Sequence, residues 1–133
     1  LKPQETLKSI EGANVKLHSG SIAWNQFRKR WVTVFMEHFG KPSVFGEIWY
    51  AEADHPTGPW GPAIKVLSHD NYSFYNPRLH PEFTPADSPI LIFEGTYTKD
   101  FADRPHPTPR YEYNQVMYRL DLDDRKLRPA QTR

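Results

Sequence analysis

Two glutamates stand at positions where a carboxyl group could take or give a proton. Glu37 follows the apolar run 31–36 (WVTVFM), and Glu94 follows the apolar run 89–93 (PILIF). A carboxyl group that is partly buried at the end of a strand has a raised pKa, and such a group suits acid–base chemistry. The alternative for each side chain is structural, with the carboxylate accepting hydrogen bonds at the strand end.

Three polar residues alternate along one short segment of the second half. Asn76, Arg78 and His80 are two residues apart, so in an extended strand their side chains point to the same face. Such a face can bind the hydroxyl groups of a ligand, and the guanidinium group of arginine suits a carboxylate in bidentate geometry. A hydrogen-bonded network between neighbouring sheets is the alternative for the same residues.

Tyrosines lie close to Glu94 and again before the C-terminal region. Tyr97 is three residues after Glu94, and Tyr113 directly precedes Asn114. Aromatic faces stack on the apolar C–H groups of sugar rings, and tyrosine adds a hydroxyl group. Tyr97, Tyr113 and Asn114 are therefore candidates for ligand binding, with packing in a core or at a sheet edge as the alternative.

Neither a metal site nor a cofactor is predicted. The chain has no cysteine, and its six histidines show no paired spacing of the kind found in zinc sites. Asp100, Asp103 and His106 share one long loop, but that loop lacks the glycine and the terminal glutamate of a calcium-binding loop. A glycine-rich phosphate loop is also absent from the sequence.

The charge balance argues against two classes of partner. The 133 residues carry 17 basic and 16 acidic side chains, for a net charge of +1. This balance provides no electrostatic basis for binding nucleic acid or an anionic membrane. No apolar run reaches the length of a membrane span, and no signal peptide is visible. Because the chain begins at Leu1 rather than Met, we expect it to derive from a longer protein.

The elements that position these residues are predicted to be strands. Aromatic residues make up 14% of the chain and prolines number 13, which favours short strands joined by turns. The stretch 46–66 predicts a strand, a Gly/Pro turn at 54–59 and a second strand. The run 31–36 is apolar without alternation, which indicates a strand covered on both faces.

Each half of the sequence predicts four strands. In the second half these are 71–81, 89–95, 113–122 and a short last strand at 126–129, with no amphipathic helix of useful length. The fold class is therefore all-β, as two four-stranded antiparallel units spanning 1–70 and 71–133. Two repeated units of this size are typical of β-propeller blades. A compact β-sandwich is the alternative.

Three segments resemble a known family. They are ADHPTGPWGPAIKVL (53–67), FYNPRLH (74–80) and PILIFEGTYT (89–98). Over about 19–127 the chain resembles the five-bladed β-propellers of the glycoside hydrolase type, including the arabinanase/xylosidase-like and β-fructosidase-like families. The resemblance departs from the family at Tyr75, which stands where those proteins carry their general-acid glutamate.

The resemblance implies a segment of about two blades that binds or processes carbohydrate, located outside the cell or in the periplasm. Its partners would be the carbohydrate and the remaining blades or further copies of the chain. Glu94 would be the catalytic carboxylate, and the expected substrate-binding residues are Asn76, Arg78, His80, Tyr97, Tyr113 and Asn114. A non-catalytic module that binds a glycan or a protein, and a purely structural blade pair, are the alternatives.

Overall fold

The computed structural model describes residues 4, 6–38, 46–68, 73–98 and 113–132. These residues form antiparallel β-sheets with two short 3₁₀ helices, so the prediction of an all-β fold is confirmed. No helix in these ranges is long and apolar enough to cross a membrane. The elements are β1 (Thr6–Lys8), β2 (Asn14–Asn25), β3 (Arg30–Glu37), β4 (Glu47–Ala53), β5 (Ile64–Ser68), β6 (Ser73–Leu79), η1 (Pro81–Phe83), β7 (Ile90–Thr98), β8 (Tyr113–Asp121) and η2 (Arg125–Ala130).

The first sheet contains β1 to β5 in sequence order, each strand antiparallel to the next. The hairpin predicted over 46–66 is present as β4 and β5, with Tyr50 opposite Ile64. Its turn contains Gly58 at a φ of +88°, in the left-handed region that glycine adopts without steric cost. Local turn chemistry therefore accounts for this part of the fold.

The first sheet curls until its two edges meet. Ile10 N–H donates to the Ala63 carbonyl at 2.9 Å, and Ala63 N–H donates to the Lys8 carbonyl at 2.7 Å. These bonds join the end of β1 to the start of β5 and leave part of the sheet wrapped around its own apolar side. This inner core consists of Leu7, Val15, Phe35, Trp49, Ala51 and Ala63.

The second sheet has the order β6, β7, β8 and packs against the other face of the first sheet. Strand β3 lies between the two cores, because Val34 faces the shared core and Phe35 faces the inner core. The prediction that the run 31–36 is covered on both faces is confirmed. The shared core consists of Val32, Val34, Met36, Ile48, Tyr50, Phe74, Leu79, Leu91, Phe93, Leu122, Leu127 and Ala130.

The last element differs from its prediction. A strand was expected at 126–129, and the structure has the 3₁₀ helix η2 there. The Asp124 carboxylate accepts a hydrogen bond from Lys126 N–H, and Leu127 and Ala130, three residues apart, are both buried. Pro129 lacks the N–H that a sheet ladder requires. Among the described residues the strands therefore divide five and three rather than four and four.

Gly20 of β2 lies so close to β3 that a residue with a side chain does not fit there. A Cβ atom at Gly20 would lie 2.6 Å from the Phe35 Cβ and 2.6 Å from the Val34 carbonyl oxygen. We expect Gly20→Ala to lower the free energy of unfolding by about 1–2 kcal/mol, since the strands must separate. Urea denaturation measures this change.

Gly95 of β7 supplies the matched control for the Gly20 variant. A Cβ at Gly95 would find its nearest neighbour at 3.7 Å, which is an ordinary contact. Gly95→Ala should therefore leave the stability unchanged or raise it slightly by restricting the unfolded chain. Equal losses in the two variants would contradict the proposed close approach.

Candidate ligand-binding site

A bulge in β6 determines which of its side chains face β7. Tyr75 pairs with Thr96 and Arg78 pairs with Glu94. Between these two pairs β6 has one residue more than β7, which is the mark of a β-bulge. Asn76 takes a φ of +50°, a conformation that asparagine tolerates better than most residues. Pro77 lacks a donor N–H and is therefore suited to a bulge. The result places Arg78 directly across from Glu94.

A polar cavity of about 330 Å³ opens beside this bulge. Strands β2, β6, β7 and β8 all contribute to its wall, which brings together hydroxyl, amide, guanidinium and carboxylate groups. Its volume falls in the range of small-molecule sites. The lining residues are Ser19, Gly20, Ser21, Asn76, Pro77, Arg78, Glu94 and Gln115.

His80 touches Glu94 from outside the cavity wall. Its Nε2 lies 3.2 Å from the Glu94 Oε1, and its Nδ1 lies 2.8 Å from the Glu82 Oε1. The ring also stacks on Phe83, with centroids 4.6 Å apart. The hydrogen bond with Glu82 raises the pKa of His80, and Glu94 raises it further against the effect of desolvation. His80 is therefore placed to hold a positive charge between two carboxylates.

Arg78 has a different environment from Glu94. Its side chain is exposed, and within the described part of the chain it makes no hydrogen bond or salt bridge. Glu94 has a side chain that is 26% exposed, and it already has His80 beside it. The guanidinium group is thus held by no hydrogen bond or salt bridge among these residues. Its charge acts on Glu82, whose pKa is lowered first by the hydrogen bond with His80 and also by Arg78.

The predicted ligand-binding residues Tyr97, Tyr113 and Asn114 are not among the described residues that line the cavity. Tyr97 packs against the shared core, with its ring 5.6 Å from that of Phe74, and Asn114 Nδ2 donates to the Tyr97 carbonyl at 3.3 Å. Neither residue is among those lining the cavity. Tyr113 pairs with Thr98 through the backbone, and its side chain lies outside the described atoms.

Comparison with family models, curated proteins and solved structures gives no significant match. The resemblance to propeller hydrolases therefore stays a prediction.

Four residues of the site were missed by sequence reasoning. Gln115 lies on β8 opposite Thr96, whose hydroxyl donates to the Gln115 Oε1 at 2.8 Å. Ser21 accepts a hydrogen bond from Leu79 N–H at 3.0 Å, which ties β2 to β6. Ser19 and Glu82 complete the set. The sequence carries no signal that β2 lies beside β6, because that contact joins segments almost 60 residues apart in the chain.

Glu37 belongs to a separate cluster. Its Oε2 accepts a hydrogen bond from Trp49 Nε1 at 2.9 Å, and Glu47 is its neighbour across β3 and β4. Burial, with a contribution from the hydrogen bond to Glu47, raises the pKa of Glu37 to about 7. Glu47 is itself buried and paired with Lys65 at 2.6 Å. Glu37 therefore has a raised pKa but does not line the polar cavity beside the bulge.

Metal-binding chemistry has no support in the parts of the chain that the structure describes. They contain no group of three or more histidine, cysteine, aspartate or glutamate residues that could hold an ion. The loop with Asp100, Asp103 and His106 lies outside the described residues.

Proposed function

We propose that the chain is part of a glycoside-hydrolase-like β-propeller and binds carbohydrate in the cavity between β2, β6, β7 and β8. The observation that carries this proposal is the wall of the cavity, where Asn76, Arg78, Glu94 and Gln115 converge from three strands. Three of these four residues are exposed, and Glu94 is partly so, so a ligand in solution can reach them.

The functional groups of the wall match those of a sugar. Each sugar hydroxyl can donate one hydrogen bond and accept others, so its site needs both donors and acceptors. Amide, guanidinium and serine hydroxyl groups supply donors, and the Glu94 carboxylate supplies acceptors. Convergent polar groups of this kind orient a ligand in a concave site.

Binding has more support than hydrolysis. Hydrolysis of a glycosidic bond requires two carboxyl groups on either side of the bond. Glu94 is the carboxylate in the described lining of the cavity, and a second would have to come from the remaining blades. That second carboxyl group would approach the sheet face on which Met117, the register partner of Glu94, is 49% exposed.

Carbohydrate binding can be tested by NMR titration of the protein with a panel of neutral and acidic oligosaccharides. We expect a sugar to shift the amide signals of residues around the bulge in β6. Asn76→Gly keeps the positive φ and removes the amide, and Gln115→Ala shortens an exposed side chain. Each should weaken binding about fivefold or more, by loss of one hydrogen bond.

Arg119→Gln is the control for these variants, because Arg119 lies on β8 but outside the cavity wall. It should bind as the unmodified protein does. Absence of binding to every sugar in the panel would overturn the proposed function.

Glu94→Gln separates an enzyme from a binding module. If Glu94 takes part in catalysis, the variant should lose turnover of glycosides while it still binds them, because the amide keeps the shape of the carboxylate. Glycoside assays that detect no turnover in either protein, together with retained binding, would identify a non-catalytic module.

A further inference from the structure

We infer that the ligand of this cavity is an acidic sugar, whose carboxylate binds Arg78. The inference rests on the proposed function and specifies the class of ligand. Three features of the wall support it. Arg78 makes no hydrogen bond or salt bridge within the described residues, His80 lies beside the Glu94 carboxylate, and the wall has more hydrogen-bond donors than acceptors.

The free guanidinium group is the first feature. Arg78 projects from β6 at the cavity and has neither a hydrogen bond nor a salt bridge within the described residues. Guanidinium groups bind carboxylates through two parallel hydrogen bonds, which gives both strength and orientation. Glu94 is the register partner of Arg78, yet no salt bridge joins them. A carboxylate from a ligand can therefore occupy the fork of Arg78.

The second feature is the position of His80. An uncompensated Glu94 carboxylate would repel an acidic ligand, and here the imidazole ring lies 3.2 Å from it. Glu82 holds the other ring nitrogen at 2.8 Å, and Phe83 stacks on the ring face. These contacts hold the ring beside Glu94, where a protonated imidazole offsets part of the carboxylate charge that an acidic ligand would meet at Arg78.

The third feature is the direction of the amide and hydroxyl groups. The Gln115 Oε1 already accepts the hydroxyl hydrogen of Thr96, which leaves the Gln115 NH₂ group to donate. The Ser21 Oγ accepts from Leu79 N–H, which leaves its own hydrogen to donate. The wall therefore offers more donors than acceptors, as a carboxylate with its several lone pairs requires.

The test compares ligands that carry carboxylates with matched ligands that do not. Trigalacturonate is titrated against its methyl ester, and glucuronate against glucose, with acetate as the control for a carboxylate that carries no sugar. For the unmodified protein we expect the acid form of a pair to bind at least tenfold more tightly than the neutral form. Acetate should bind far more weakly than the acidic sugars.

Variants at Arg78 locate the effect. Arg78→Gln should remove the preference for the acid, because it weakens binding of the acid form far more than binding of the neutral form. Arg78→Lys keeps the charge without the fork and should retain part of the preference. Arg119→Gln, which removes an exposed arginine from β8, should retain all of it.

The outcomes separate this inference from the proposed function. Equal binding of acid and neutral forms would overturn the inference and leave the proposed function standing. A preference that survives Arg78→Gln, or acetate binding as tight as that of glucuronate, would likewise overturn it. Failure of every sugar to bind would instead overturn the proposed function, and the inference with it.

Discussion

Glu52→Gln is expected to lower the free energy of unfolding by about 3–5 kcal/mol, because it breaks a buried ion cluster from one side. The Glu52 side chain is 1% exposed, and its Oε1 accepts from Arg28 Nε and from Tyr50 Oη, each at 2.7 Å. Arg30, whose side chain is 7% exposed, lies with its Nε 3.7 Å from the Glu52 Oε2. Glutamine can still accept one hydrogen bond, but it removes the buried negative charge that lies between the two guanidinium groups.

The cluster also affects the ionisation of its members. The hydrogen bond with Glu52 raises the pKa of Arg28, and burial followed by the charge of Glu52 raises the pKa of Tyr50. Both groups therefore keep their protons throughout the accessible pH range, so the loss in Glu52→Gln should be similar at pH 6 and pH 8.

Urea denaturation of two further variants tests the origin of the loss. Tyr50→Phe removes one hydrogen bond and no charge, and should cost about 1–2 kcal/mol. Asp54→Asn alters an exposed carboxylate 3.6 Å from Arg30, and should cost less than about 0.5 kcal/mol. A loss below 1 kcal/mol for Glu52→Gln would show that the cluster does not depend on its carboxylate.

Glu37 should make the protein less stable as the pH rises from about 4.5 to 7. Its pKa is about 7 in the folded protein against an ordinary value of 4.5, so the folded state binds the proton more tightly than the unfolded state. The stability that the protonated group contributes is complete below pH 4.5 and is lost as the pH rises through 7. The expected loss is about 1–2 kcal/mol, after a discount for partial exposure to solvent.

Glu37→Gln isolates this contribution. The amide can accept from Trp49 and donate to Glu47 at every pH, so the variant should lack the dependence. The free energy of unfolding is measured for the unmodified protein and for Glu37→Gln at pH 4.5 and pH 8. The difference between the two proteins gives the contribution of Glu37 ionisation to stability. Glu11→Gln, at an exposed position, should keep the profile of the unmodified protein. The same difference at both pH values would contradict the raised pKa.

The candidate site shows where local reasoning reaches its limit. Strand alternation predicts that Asn76 and Arg78 share a face of β6. Antiparallel pairing of β6 with β7 then places Glu94 beside Arg78. Ser21 and Gln115 come from strands far away in the chain, and only the packing of one sheet on another brings them to the cavity. The raised pKa expected at a strand end appears at Glu37, because burial disfavours its charged form and the hydrogen bond with Glu47 adds to this effect.

The sequence by itself determined the all-β class, the hairpin of β4 and β5, and the double-sided burial of β3. These features depend on turn residues and apolar runs that act within a few residues of one another. Tertiary structure alone decided the closing of the first sheet at Ala63 and the full wall of the cavity. Each of these results from hydrogen bonding or burial between segments whose meeting no local pattern specifies.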